Sequence, residues 1–310
     1  MMAVYFTTDQ PGSCKTAAGA HLNMVQVRGM LLGAGLTQVA VAGGYDATET
    51  GTDAQVPLTS AVNTYSAPMW FAFSDALQSS YPVYIRVDVG YGDYWRPGYT
   101  TNYGYAVRLT VSDSIALDGF AKEVDGLIAA SGVSAAVAGN LVSDGSFCQF
   151  RNGSLTIIHG FNSRGANASY PRSHIFAHVY RGPTGEIAMI DQDISASVAT
   201  RAHTYRVFSK IGDAQFETPH AFSRFAGTSG FSIRGVGVAS PVVFRRETTG
   251  DIEPIPGVFT FPGTETDLFN NVTLDFTGEE RTYRVIATKA GAMYPGYSGP
   301  GLNLLIETDA

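Results

Sequence analysis

Two runs of strict alternation constrain this chain more than any other feature. Val83, Ile85, Val87 and Val89 alternate with Tyr84, Arg86 and Asp88, and Val107, Leu109 and Val111 alternate with Arg108 and Thr110. A period of two puts one set of side chains on a buried face and the other set on the opposite face. Both runs therefore predict strands, preceded by a short helical turn within WFAFSDALQSSYPV. The loop between them carries Tyr91, Tyr94, Trp95, Tyr99 and Tyr103 among Gly90, Gly92, Gly98 and Gly104. So long and aromatic a loop is uncommon in a compact domain and is usually functional.

A second long Gly/Tyr/Pro loop, with Tyr294 and Tyr297, lies between predicted strands at 281–287 and 302–307. Pro97-Gly98-Tyr99 in the first loop is echoed by Pro295-Gly296-Tyr297 in the second. The echo is either a repeated module or the chance recurrence of a common turn dipeptide.

Elsewhere the pattern predicts a helix over 17–32, capped by Thr16, with Leu22, Val25, Leu31 and Leu32 broadly on one side. Gly33 and Gly35 end it, a short strand follows over 37–42, and 43–59 reads as a polar loop. A second helix is expected over 118–131, because Phe120, Val124, Leu127 and Ile128 stand at i, i+4, i+7 and i+8 behind Asp118. Short strands follow at 155–158, 204–209, 231–238 and 242–245. Strands at 175–180 and 186–190 form a hairpin around Gly182-Pro183-Thr184-Gly185. The segment 251–262, with Pro254, Pro256 and Pro262, reads as an extended connector. The expected class is mainly β, with sandwich- or barrel-like hairpins, two or three short helices and a minor α+β character. The division is an N-terminal α+β region, 1–140, and a C-terminal all-β region, 141–310, or one domain spanning both.

Composition narrows the function. Apolar residues make up 45% of the 310, enough for a sizeable core, whereas charged residues are only 15% against about 25% in an average soluble domain. Sixteen arginines stand against four lysines. Interfaces favour arginine and deplete lysine, although genomic base composition produces the same skew. The net charge of −7 and the lack of any basic run argue against nucleic-acid binding. No apolar run is long enough to span a membrane, and MMAVYFTTDQ does not read as a secretory signal. Cys14 and Cys148 are then expected as free thiols.

No catalytic constellation is expected, nor any cofactor or metal site. His174 and His178 fall four apart on a predicted strand, roughly 13 Å end to end, too far for two ligands of one metal. They read as polar-face histidines. Asp191 and Asp193, and Asp88 and Asp93 beside the first loop, lack a calcium-loop pattern and read as solvated carboxylates. The triplets beginning at Asn152, Asn167 and Asn271 match the glycosylation pattern, with no export signal to support their use. No nucleophile elbow, phosphate loop or dinucleotide fingerprint is present.

Three stretches carry a resemblance. The opening, YFTTDQPGSCKTAAGAHLNMVQVRGMLLGAGLTQVAVAGG, resembles the start of virion proteins encoded among the tail genes of tailed bacteriophages. FSDALQSSYPVYIRVDVGYGD is similar to their helix-to-strand step, and EERTYRVIATKAGAMYPGYSGPGLNLLIETD to their closing hairpin and final apolar strand. The resemblance covers roughly a third of the chain and leaves 118–250 outside it. It implies a structural subunit of a tail, tail tip or baseplate, found in the virion after assembly in the host cytoplasm. Such a subunit acts by symmetric self-assembly and by docking to other virion proteins, and is not an enzyme. The candidate contact residues are Tyr91, Tyr94, Trp95, Tyr99, Tyr103, Tyr294 and Tyr297. The alternatives are a head-decoration or neck protein, a β module whose aromatic loops stack on host glycans, or a glycan-degrading enzyme with a dispersed carboxylate pair.

Overall fold

The two alternating runs form β5 (Tyr84–Gly92) and β6 (Gly104–Ser112), an antiparallel pair that aligns Val87 with Leu109 and Val89 with Val107. A computed structural model describes residues 3–7, 16–48, 55–58, 64–92, 104–127, 145–161, 175–193, 204–211, 214–216, 240–245, 252–263, 271–276, 279–287 and 301–308. Around β5 and β6, β2 (Thr37–Val39), β4 (Met69–Ala72) and β7 (Ala121–Leu127) complete a six-stranded sheet in the order β2-β4-β5-β6-β7. Its sixth strand, β3 (Thr64–Tyr65), pairs with β5.

A seven-stranded sheet runs in the order β1 (Ala3–Thr7), β8 (Gly145–Arg151), β9 (Ser154–Phe161), β10 (Ile175–Arg181), β11 (Ile187–Asp193), β12 (Thr204–Ile211) and β13 (Ala214–Phe216). A five-stranded C-terminal sheet has β14 (Ser240–Arg245), β15 (Ile252–Gly263), β18 (Gly301–Glu307), β17 (Glu279–Ala287) and β16 (Asn271–Phe276) side by side. The fold is mainly β, with three antiparallel sheets and, among the described residues, a single α-helix.

That helix, α1 (Ala17–Gly33), starts where expected, and the Thr16 hydroxyl oxygen accepts the Gly19 N–H at 3.1 Å. Its buried stripe is Ala20, Asn23, Met24, Val27, Met30 and Leu31. Leu22 remains 45% exposed, so the inward face is rotated from the expected one. Small and flexible side chains let the helix approach the strands more closely than leucines would. Met24 and Val27 join Val87 and Leu109 of the six-stranded sheet, and Cys148, Ile157 and Val179 of the seven-stranded sheet, in one apolar core.

Two expectations are overturned. The helix expected over 118–131 is instead β7, antiparallel to β6. Phe120 and Val124 are both buried, and i, i+4 spacing satisfies period two as well as period 3.6. Lys122 between them also turns inward, with its ammonium 5.7 Å from the centre of the Phe208 ring. The proline-rich connector is instead β15, a strand paired on both sides. Its partner register jumps from Val243↔Pro254 to Pro241↔Phe259, leaving Pro256 and the positive-φ Gly257 in a bulge where no ladder N–H is needed. Among the described residues α1 is the single α-helix, and a 3₁₀ turn forms at Ala76–Ser79. The strand expected at 231–238 lies outside the described residues.

Both faces of the seven-stranded sheet are covered. Cys148, Leu155, Ile157 and Val179 face the shared core, while Phe147, Ile158, Phe176 and Ile190 are buried on the other side. The C-terminal sheet closes that second side. Gln149 donates to the Glu307 carbonyl at 2.8 Å, the Arg284 guanidinium lies 5.1 Å from the Phe147 ring centre, and β12 packs on β14.

Candidate functional site

The strand registers divide the molecule into two ends. At one end stand Thr7, Gly145, Phe161, Ile175, Asp193 and Thr204 of the seven-stranded sheet, aligned by their pairings. Gly92, Gly104 and Leu127 of the six-stranded sheet stand there too. The connections 8–15, 93–103, 128–144, 162–174 and 194–203 therefore all leave from this loop end. The opposite, turn end holds the short links 73–83, 113–120, 152–153 and 182–186.

Arg181 ties the two sheets together at the turn end. Its side chain is fully buried, ion-pairs with the Asp75 carboxylate and donates to the Tyr81 carbonyl at 3.0 Å and to Gln78 Oε1 at 3.3 Å. Asp75 also caps the 3₁₀ turn by accepting the Leu77 N–H. Gly153, at φ +74, lets the β8–β9 turn approach so closely that a Cβ there would lie 2.9 Å from the Arg181 carbonyl. The Arg181 N–H donates to the Gly153 carbonyl at 2.9 Å, which closes the contact.

The aromatic hairpin is rooted differently. Tyr91 is half-buried, packs on the shared core and meets the Tyr105 ring edge-on at 4.9 Å. The Tyr105 hydroxyl donates to the Pro57 carbonyl at 2.8 Å. Tyr91 is thus the footing of the loop rather than an exposed platform. Tyr94, Trp95, Tyr99, Tyr103, Tyr294 and Tyr297 lie outside the described residues, so only their strand ends are placed.

Those ends are informative. Glu307 is 3.0 Å from Arg151 and 3.6 Å from Arg281, while Arg284 reaches Phe147. Passing from residue 281 to 284 along β17 thus parallels passing from 151 to 147 along β8, from the turn end towards the loop end. Ala287 and Gly301, which bound the second aromatic loop, accordingly lie on the loop-end side of the C-terminal sheet.

The acidic and imidazole groups are less exposed than their sequence context implied. Asp88 is buried, with Arg86 Nε 2.9 Å and Arg108 Nε 2.7 Å from its two oxygens. The Arg108 guanidinium also stacks 3.4 Å over the Tyr65 ring centre. Asp191 is fully buried too, so neither Asp88 nor Asp191 is the solvated carboxylate expected. Asp93 and His174 lie outside the described residues, and nothing is placed for the Asp193 side chain. His178 occupies a strand as expected but is buried, on the sheet face that it shares with Thr156 and Gln149 and that the C-terminal sheet contacts at β8. Cys148 is a free buried thiol whose pKa burial pushes far up. Cys14 is outside the described residues.

One buried chain has the composition of a catalytic relay. The Ser146 hydroxyl is 3.0 Å from His159 Nδ1, and His159 Nε2 is 3.0 Å from Asn23 Oδ1. Asn23 Nδ2 donates to the Gly19 carbonyl, so its Oδ1 accepts from His159 Nε2–H and leaves Nδ1 to accept the serine proton. All three residues are at most 1% exposed, and burial lowers the His159 pKa to about 4. A neutral imidazole sealed from any substrate makes this relay a fastener between α1, β8 and β9. Among the described residues no three metal-ligating side chains converge, and no helix is long and apolar enough to cross a membrane.

No protein-family model matches the chain, and no curated protein and no solved structure matches it.

Proposed function

We propose that this chain is a structural subunit of a tailed-phage virion, in the tail, tail tip or baseplate, acting by symmetric self-assembly and by docking to other virion proteins. One observation carries the reading. Two long loops rich in Tyr, Trp, Pro and Gly belong to different sheets, yet their strand ends lie towards the same end of the molecule. At the root of the first loop, Tyr105 belongs to the shared core and Tyr91 packs against it. Interfaces favour Tyr, Trp and Arg, so loops of this composition suit contacts with other chains. Low overall charge and the scarcity of lysine suit a surface largely covered by neighbours.

The test is the size and shape of the purified full chain, by light scattering coupled to chromatography and by negative-stain imaging. Rings, tubes or other closed oligomers are expected. A monodisperse monomer that binds a bacterial polysaccharide would replace this reading with that of a glycan-binding module.

A further inference from the structure

Beneath the C-terminal sheet, three polar residues stand side by side on adjacent strands of the seven-stranded sheet. Register aligns Gln149 of β8 with Thr156 of β9, and Thr156 with His178 of β10. All three are at most 3% exposed. The Thr156 hydroxyl is hydrogen-bonded to His178 Nδ1 at 2.8 Å, while His178 Nε2 and Gln149 Oε1 are buried without a partner. Buried polar atoms are satisfied in the great majority of cases, so two orphans in one row mark a weak joint.

The cover over this row is itself polar. The C-terminal sheet reaches from β8, through Glu307, Arg281 and Arg284, across to β12, through β14. Its firmest described link is the Glu307 carboxylate between Arg151 and Arg281, with the Glu307 carbonyl held by Gln149. The joint between the other two sheets is instead an apolar core.

We propose that His178 makes the seating of the C-terminal sheet acid-sensitive, so that mild acid releases this sheet while the two-sheet core remains folded. On its own sheet the imidazole faces Thr156 of β9 and Ile190 of β11, neither of them charged. Tyr180 stands two residues along β10 on the same face, and the other charged and titratable groups described at the joint, Arg151, Glu307, Arg281, Arg284 and Tyr283, gather at β8, about 10 Å away across two strand spacings. Burial alone depresses the His178 pKa, to about 3, and no described carboxylate compensates an imidazolium there. In the released state the imidazole regains its ordinary pKa of about 6.5. The closed state therefore binds fewer protons, and its advantage is complete above about pH 6.5 and shrinks as pH falls. Between pH 7.5 and pH 5.0 the equilibrium constant for release rises about 30-fold. Release uncovers Phe147, Ile158, Phe176 and Ile190, an apolar surface suited to another chain.

The experiment is amide hydrogen exchange of the full chain across this pH range, corrected for intrinsic exchange, with a fluorescent apolar dye as second readout. Peptides from β14 to β18 should exchange about 30-fold faster at pH 5.0, with the rise setting in near pH 6.5 and increased dye binding. His178→Gln should flatten that response, while the core peptides keep the acid response they owe to His159. An unchanged corrected rate for β14 to β18, or an equal rise in His178→Gln, would overturn the proposal. If the variant does not fold, the wild-type onset decides, because a rise that sets in only below about pH 4.5 would assign the effect to carboxylates instead.

Discussion

The two ends of this molecule use their residues in opposite ways. At the turn end, short links converge on one buried guanidinium, with Arg181 held by Asp75, the Tyr81 carbonyl and Gln78. At the loop end, Tyr91 and Tyr105 pack at the core where the first long connection departs. On the proposed function, stability and recognition are separated along the strand axis.

The sharpest break of this comparison is Asp75→Ala. It leaves the Arg181 guanidinium buried without its carboxylate and should cost about 3 kcal/mol in urea unfolding, with assembly intact wherever the protein is folded. A loss below about 0.5 kcal/mol would show that the turn end is not the fastening one. Acid comes next. Burial holds the His159 pKa at about 4 and that of His178 at about 3, both below the value near 6.5 expected unfolded. The folded state thus binds fewer protons, and the stability is present above about pH 6.5 and lost as pH falls. At pH 5.5 each group should remove about 1.4 kcal/mol relative to pH 7.5, visible as a lower urea midpoint. An unchanged midpoint would mean that neither imidazole is held neutral by burial. Gly153→Ala is the smallest break. It places a Cβ at φ +74 and 2.9 Å from the Arg181 carbonyl, and a shift in thermal midpoint equivalent to about 1–2 kcal/mol should follow.

What could be read from the sequence follows the same division. β5 and β6 were legible because most of the residues opposite their buried face stay at least partly exposed, which preserves the alternation. Thr16 was legible because capping is local. β8 gave no alternating signal because Ser146, Phe147, Cys148, Gln149 and Phe150 are all buried, covered on both faces. β7 was mistaken for a helix because its inward Lys122 broke the apolar pattern that would have marked period two. Gln149 meets the Glu307 carbonyl across 158 positions, and the Asp75–Arg181 pair joins residues 106 apart. No local pattern encodes such contacts. The loop aromatics were conspicuous in the sequence, but that two such loops share one end required the registers of β5, β6 and β17.

The most direct test of this account is the assembly state of Trp95→Ala combined with Tyr297→Ala, one change in each aromatic loop. The account predicts that this double variant unfolds within about 0.5 kcal/mol of the parent, as surface changes away from core features do, yet no longer forms the parent's oligomer by light scattering. An oligomer of unchanged size and affinity would contradict the assignment of the loop end as the assembly face.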